Sequence, residues 1–348
     1  MPSHPRRRAA FALGAAALLV IGAGGLAATA GRDALGSLAR GGIDGVDVAL
    51  DGPTGAPADE DGGGGGSTAP SSGDGAGDAA ASLADGRAFL LVGSDARGDA
   101  QRPGNGDWVE GAQRSDVMML GRVTPDGEVL VVSLPRDLWV DVPGRGPAKL
   151  NAAYSLGGPD LLVETLRQET GVRVGRFAAI DFEGVVALTD AVGGVTVESP
   201  YAFTSRGVDV VAGENTLDGE QALAFLRERT SLPRGDLDRV ANQQRYLLAM
   251  FDDVLSQQTL SDPRRAARVL SAVREHVAVD SGTSFGDLEA VARALGGTRP
   301  DAVVAGTVPV AGDGTEDGQS VLYVDRPAAD AVWAAFRDGD AERLRELL

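Results

Sequence analysis

The stretch VMMLGRVTPDGEVLVVSLPRD, residues 117–137, decides the fold class. It opens on a short apolar run, Val117 to Leu120, breaks at Pro125, Asp126 and Gly127, and resumes as Val129 to Ser133. Uninterrupted Val- and Leu-rich runs bounded by turn residues predict strands buried on both faces, and the Pro-Asp-Gly turn predicts that these two form a hairpin. A third run of the same kind, AFLLVG at Ala88 to Gly93, precedes them. The chain then changes period. Pro159 and Asp160 open an amphipathic helix that turns Leu161, Leu162, Val163 and Leu166 toward a core. Arg176 to Ile180 reads as a strand, followed by a helix from about Phe182 to Ala191. Gly193 and Gly194 turn sharply into a strand at Val195 to Val197.

Further on, Asp218 and Gln221 have the spacing of a capping box opening a helix to about Arg229. Helices are predicted from about Arg239 to Ser256, over much of Asp262 to Val277, and from Ser284 to Leu295. Strands near Val303 to Val308 and Ser320 to Val324 come before terminal helices. Alternating strands and helices indicate a layered α/β domain. No internal repeat is evident.

The 348 residues are 43% apolar, enough for a substantial core. A formal charge of −18 argues against a duplex-DNA binder, because neutralising phosphates is the main sequence-independent source of that affinity. Any phosphate site must be a local cationic pocket. There is no cysteine, so disulfides and thiolate metal sites are excluded. With only His4 and His276 as imidazoles, neither a Ser/His/Asp triad nor a His-rich zinc site is expected. Lys149 is the only lysine. Either an Arg-favouring composition left it by chance, or its position needs a compact ammonium where a planar fork does not fit.

Arg6, Arg7 and Arg8 precede an uncharged stretch from Phe11 to Ala30, the length of a bilayer-crossing helix. Basic residues ahead of the span keep the N-terminus cytoplasmic and export the rest. A cleaved signal peptide is the competing reading, since Ala28-Thr29-Ala30 has the small-x-small form of a cleavage site. The uncleaved anchor is favoured, and both readings place the body outside the cytoplasm. The resulting organisation is a cytoplasmic tail at 1–10, a transmembrane anchor at 11–30, a flexible linker at 31–85 and a folded domain at 86–348. Gly, Ser, Asp, Pro and Ala dominate Gly52 to Gly77, a composition that cannot bury enough surface to offset its ordering entropy.

Arg/Asp blocks recur beside the apolar runs: Asp95-Ala-Arg97, Arg114-Ser-Asp116, Arg136-Asp137, Arg227-Glu-Arg229 and Asp236-Leu-Asp-Arg239. Guanidiniums give planar bidentate contacts to phosphate oxygens, and carboxylates are the hard donors that Mg²⁺ prefers. A lone Asp/Arg pair is more often a solvated ion pair. Several pairs, each abutting a core element, favour a shared site at the strand ends. Arg227 and Arg229 are spaced too closely to share a helical face, and their plain role would be compensation of a helix dipole. Arg239 and Gln243 do share one, while Asp236 has the position of an N-cap.

The ordered blocks Gly93-Ser-Asp-Ala-Arg97, Arg114-Ser-Asp116, Ser133-Leu-Pro-Arg-Asp-Leu-Trp139, Lys149-Leu-Asn-Ala-Ala-Tyr154, Gly193-Gly-Val195, Leu217-Asp-Gly219 and Asp236-x-x-Arg239 with Gln243-Gln244 resemble the LytR/CpsA/Psr family. The resemblance implies a three-layer α/β/α domain with a central mixed sheet, outside the cytoplasm. It also implies a hydrophobic tunnel for a polyprenyl tail and an Arg-lined mouth holding Mg²⁺. Members of the family transfer a glycopolymer from a polyprenyl-pyrophosphate carrier to peptidoglycan.

Carried over to this sequence, the resemblance makes Asp95 and Asp116 the magnesium ligands and Asp95, Arg114, Asp116 and Arg136 the catalytic set. Arg97, Arg114, Arg136, Lys149, Arg227, Arg229, Arg239 and Gln243 would bind the pyrophosphate. Leu161, Leu162, Val185, Leu188, Leu223, Leu247 and Leu248 are candidates for lining the tunnel, against the plainer reading of ordinary core. Two departures stand out. The loop between Asp95 and Asp116 is longer than the family's and carries Pro103, Asn105 and Trp108, and Asn242 stands where many members have Arg.

Such a site suits attack by an acceptor hydroxyl on the phosphorus nearer the sugar, with lipid phosphate leaving and a phosphodiester remaining on the glycan. Asp95 is a candidate general base, an assignment left open because metal binding lowers a carboxylate's basicity. Two alternatives are a pyrophosphatase releasing polymer phosphate to water, and a non-catalytic surface protein that docks wall polymer. The expected partners are the polyprenyl-pyrophosphate-linked glycopolymer, peptidoglycan and, through the N-terminal helix, the membrane. Nucleic acid is not among them.

Overall fold

The computed structural model describes residues 44–46, 88–94, 110–111, 113, 115–254, 262–281 and 303–348. Strands β1 (Asp44–Val46), β2 (Ala88–Ser94), β3 (Ser115–Val123), β4 (Val129–Ser133), β5 (Trp139–Val142) and β6 (Gly146–Lys149) come first. They lead into helix α1 (Leu150–Thr170), strand β7 (Val174–Asp181) and helix α2 (Phe182–Val192). Strands β8 (Val195–Ser199), β9 (Phe203–Ser205), β10 (Val208–Val210) and β11 (Gly213–Leu217) form small hairpins ahead of helices α3 (Gly219–Arg227), α4 (Asp236–Val254) and α5 (Pro263–His276). Strands β12 (Val277–Asp280), β13 (Val303–Thr307), β14 (Val310–Glu316) and β15 (Gln319–Val324) precede helices α6 (Arg326–Asp338) and α7 (Ala341–Leu347).

Seven of these strands form one mixed sheet in the order β1-β12-β7-β2-β3-β4-β13. Strand β2 runs parallel to β7 and antiparallel to β3, β3 antiparallel to β4, and β4 parallel to β13. The carboxyl ends of β2, β4, β7 and β13 therefore lie along one edge, together with the amino end of β3. The expected hairpin at Pro125-Asp126-Gly127 is present as β3–β4, with the Thr124 and Gly127 backbones bonded across the turn.

Strand side chains alternate between two cores, as the period of two requires. Leu91, Met119, Val131 and Ala178 face one, with Val185, Leu188, Phe225 and Tyr246 from α2, α3 and α4. Leu90, Leu120, Leu130 and Phe177 face the other, with Leu162, Leu166, Trp333 and Phe336 from α1 and α6. Helices thus cover both faces of the sheet.

Several elements differ from the sequence reading. Asp44–Val46, inside the stretch read as linker, pairs in parallel with β12 at the sheet edge. Helix α1 begins at Leu150 rather than Pro159; Gly157 and Gly158 leave helical geometry between its two segments, so the part ahead of the break was not legible as helix. The tunnel candidates do not share one space. Leu161 and Leu162 belong to the core under α1, whereas Val185, Leu188 and Leu247 belong to the core under α2 and α4, on the other face of the sheet. Leu223 is half-buried on α3, and the side chain of Leu248 lies outside the described residues. The anchor at 11–30 and the helix expected at Ser284 to Leu295 also lie outside them. Among the described residues no helix is long and apolar enough to cross a membrane.

Candidate functional site

The edge formed by the ends of β2, β3, β4 and β7 is polar although it is buried. Ser94, Ser115, Ser133 and Asp181 terminate these strands, each less than 5% exposed. Beyond β4 the chain turns through Leu134 and Pro135 and is fixed by its backbone. Leu134 N–H donates to Met118 O at 2.9 Å, Asn151 N–H to Arg136 O at 3.1 Å, and Leu322 N–H to Asp137 O at 2.9 Å. The carbonyls of Arg136 and Asp137 are therefore held by α1 and β15, leaving both side chains to project from a rigid turn.

Arg136 donates to Asp116, the second residue of β3, and its Nε lies 3.5 Å from Asp137 Oδ2. Lys149 Nζ donates to Asp137 Oδ1 at 2.9 Å. The β5–β6 pairing explains that contact, since its register sets Lys149 opposite Trp139, two residues beyond Asp137. The result is a continuous chain Asp116–Arg136–Asp137–Lys149 whose side chains are 17 to 20% exposed. Ion pairs this shielded are weakened less by solvent than surface pairs.

Helix α4 brings a second pair to the cluster. Arg239 Nη2 lies 2.5 Å from Asp236 Oδ1. Asp236 occupies the first turn of the helix rather than the N-cap position read from the sequence. Burial, with the like charge of Asp137, pushes the Asp236 carboxyl up, against the pull of Arg239, Arg136 and Arg229. Burial draws the Arg136 guanidinium down, but Asp116, Asp137 and Asp236 outweigh it and hold the group above its ordinary value. Arg239 is drawn down by burial and then by the like charge of Arg136. These mutual effects place Asp116, Arg136, Asp137, Asp236 and Arg239 in one electrostatic unit, and Arg229 within reach of it.

Arg227 closes α3, whose opening capping box between Asp218 and Gln221 is formed as the sequence predicted. The helix stops there because Glu228 is extended, with φ −67° and ψ 133°, which lifts the helical constraint that would turn Arg227 and Arg229 apart. Arg227 Cζ stands 3.9 Å from the centroid of the Phe182 ring. Gln243 is buried and donates to Leu226 O at 3.3 Å, tying α4 to the end of α3. Gln244 reaches Ser133 Oγ at 2.6 Å and both Gly306 O and Thr307 Oγ1 at 3.1 Å, tying α4 to the ends of β4 and β13.

The structure thus brings Asp116, Arg136, Lys149 and Arg239 together, and sets Arg227 at the end of α3 and Gln243 within α4, bonded to Leu226. Asp95, Arg97 and Arg114 lie outside the described residues. Sequence reasoning missed Asp137 as the bridge between Arg136 and Lys149, although its place directly after Arg136 was a signal. It also missed Phe182, for which the sequence carried none. Chemically the cluster presents guanidiniums and one ammonium held by carboxylates at a sheet edge, an arrangement able to exchange its internal carboxylates for phosphate oxygens.

The model of the LytR_cpsA_psr family matches residues 70–338. The chain belongs to that family. This LytR_cpsA_psr chain is 35% identical over 259 residues to the probable cell wall biosynthesis protein LcpB of Corynebacterium glutamicum, covering 72% of this chain and 61% of LcpB. It is 35% identical over 199 residues to the polyisoprenyl-teichoic acid–peptidoglycan teichoic acid transferase TagU of Oceanobacillus iheyensis, covering 55% of this chain and 58% of TagU. Among solved structures, B. subtilis TagV aligns at a TM-score of 0.57 and 25% identity over 74% of this chain and 97% of that one. The chain spans about three fifths of the length of these curated relatives.

Proposed function

We propose that this protein transfers a glycopolymer-phosphate from a polyprenyl-pyrophosphate carrier to a hydroxyl of peptidoglycan in cell wall assembly. The observation that carries the reading is the chain of ion pairs Asp116–Arg136–Asp137–Lys149, joined by Arg239 and Asp236, at the edge where four parallel strands end. Its support from kinship is that relatives at 35% identity are named as teichoic acid transferases acting on peptidoglycan.

In this mechanism Arg136, Arg227, Arg229 and Arg239 bind the pyrophosphate, with Lys149 beside them. Phosphate oxygens take over guanidinium N–H groups that Asp116 and Asp137 hold in the resting site. The acceptor hydroxyl attacks the phosphorus nearer the sugar, the bond to the bridging oxygen breaks, and lipid phosphate departs. The guanidiniums stabilise the charge gathering on that leaving group. Asp95 remains the candidate to take the hydroxyl proton.

Magnesium belongs to the same proposal. Asp116 fits it by donor chemistry, offering hard carboxylate oxygens at a partly open mouth, and Asp95 would be its companion. When bound, the ion supplies positive charge against the pyrophosphate oxygens. The sequence supports an anchor at 11–30 with the body outside the cytoplasm, where a reaction using an already activated carrier needs no ATP.

Organic-solvent extraction of the full-length protein, expressed in bacteria and analysed by mass spectrometry, tests the carrier. Polyprenyl phosphate or pyrophosphate is expected from wild type and depleted from the Arg136→Ala, Arg227→Ala variant. No lipid from either folded protein would overturn the carrier reading.

A further inference from the structure

We infer that β1 is the strand on which the membrane tether lands, and that it turns the sheet edge carrying the cationic cluster toward the bilayer, making that edge the face of the domain apposed to lipid headgroups. The inference rests on the reading of 11–30 as an uncleaved anchor and adds an orientation to it. Strand directions carry it. β12 runs antiparallel to β7, with Val277 opposite Ile180, so the amino end of β12 lies beside the carboxyl end of β7. β1 runs parallel to β12, with Asp44 opposite Ala278 and Val46 opposite Asp280. The chain arriving from the anchor therefore enters the sheet at the edge where Asp181 ends β7 beside Ser94 of β2, the edge at which Arg136 donates to Asp116. It leaves β1 toward the opposite edge.

Chain length turns this direction into an orientation. Residues 31–43 separate the anchor from β1, and a chain of that length spans about 45 Å at most. β1 and β3 are four places apart in the sheet order, about 20 Å at the spacing of neighbouring strands. Turning the domain end for end would spend about 30 Å of the tether's reach along the length of β3 before the far edge met a headgroup. A pyrophosphate on a polyprenyl chain lies at headgroup level, so a cluster on the near edge meets it without the carrier leaving the bilayer by the length of the domain. The same directions give the Gly-rich stretch another place than that of membrane spacer. β1 ends at Val46 on the far edge, and β2 starts there too, with Ala88 opposite Val174 at the start of β7. Residues 47–87 thus join two strand ends on the side away from the cluster, and their length does not set the distance to the membrane. Without the pairing of β1 with β12, the first attachment would be Ala88 on the far edge, behind residues 31–87 and a reach of up to about 200 Å. The cluster would then face away from the bilayer or in no fixed direction.

The chain has no cysteine, so a single introduced thiol on the full-length protein in phosphatidylcholine vesicles takes a membrane-impermeant fluorescent maleimide alone. Thr230→Cys labels the exposed loop between α3 and α4 at the cluster edge, and Asp126→Cys labels the exposed β3–β4 turn at the far edge. Energy transfer to an acceptor-labelled lipid is expected to be greater from position 230 than from position 126 by about twofold or more, because the far edge stands a strand length further from the headgroups. A Gly/Ser insertion of about 20 residues after Gly36 lengthens the tether ahead of β1 and is expected to shrink this ratio toward one, whereas the same insertion after Gly64 leaves it unchanged. Ser231→Cys, on the same exposed loop, replaces Thr230→Cys if that chain does not fold. Equal transfer from both labels, greater transfer from position 126, or equal effects of the two insertions would overturn the orientation and leave the anchor reading standing, provided the protein floats with the vesicles. Protein that does not float with them would overturn the anchor reading, and the orientation with it.

Discussion

Replacing Arg136 with alanine separates a ligand-binding cluster from a structural one. Arg136 donates to Asp116, lies 3.5 Å from Asp137, and feels the charge of Asp236. Its side chain is 20% exposed, so a phosphate reaching it sheds part of its water and gains charge-assisted hydrogen bonds. Such bonds are worth about 1.5 to 3 kcal/mol, which corresponds to a loss of about 10- to 150-fold in affinity for a pyrophosphate probe. Arg343→Ala serves as the control. That residue pairs with Glu346 at 2.9 Å on the exposed surface, 55% and 61% exposed, where an ion pair contributes about 1 kcal/mol or less. Isothermal titration of geranylgeranyl pyrophosphate into the full-length protein reads both variants. Unchanged affinity in folded Arg136→Ala would refute the assignment, as would an equal loss in Arg343→Ala.

Gln244→Ala removes the amide that joins α4 to Ser133, Gly306 and Thr307 and is expected to cost about 1 to 3 kcal/mol of stability, seen as a lowered Tm. Gly219→Ala puts a Cβ 2.7 Å from the Val186 carbonyl and 2.9 Å from its Cα, so α2 and α3 must separate; thermal denaturation is expected to show a loss of about 1 to 3 kcal/mol. Asp236 has a raised carboxyl pKa, chiefly from burial, amid Arg239, Asp137, Arg136 and Arg229. The folded state then holds the proton more tightly than the unfolded one, so this group's contribution is fully present below the ordinary value of 3.8 and is lost as pH rises through the folded pKa. The Tm of wild type relative to Asp236→Asn should accordingly fall between acid and neutral pH, and a difference that rises instead contradicts the burial argument.

The parts of the fold legible in the sequence were those with a strong local cause. The hairpin β3–β4 was visible because two apolar runs flank a Pro-Asp-Gly turn, and α3 because Asp218 and Gln221 form both bonds of a capping box. The β5–β6 hairpin was not, since four-residue strands joined through Pro143, Gly144 and Arg145 offer too few residues for a period to register. That omission hid the contact between Lys149 and Asp137, which depends on the register of those strands. Apolar periodicity finds the inward face of a helix but not the side of the sheet it covers. For this reason Leu162 and Leu188 were grouped together although the sheet lies between their cores. At the site, Asp116, Arg136 and Arg239 were legible through motif order. Asp236 was misplaced because an acidic residue three before an arginine is compatible with both a cap and a first-turn ion pair.

The reaction proposed is transfer to peptidoglycan. The full-length protein, incubated with a polyprenyl-pyrophosphate-linked glycan, Mg²⁺ and peptidoglycan, should yield glycan joined to peptidoglycan through an acid-labile phosphodiester, with one lipid phosphate released per linkage and neither product formed by Arg136→Ala. Release of glycan phosphate into water at the same rate with and without peptidoglycan, and none attached to it, would contradict the claim and leave a pyrophosphatase in its place.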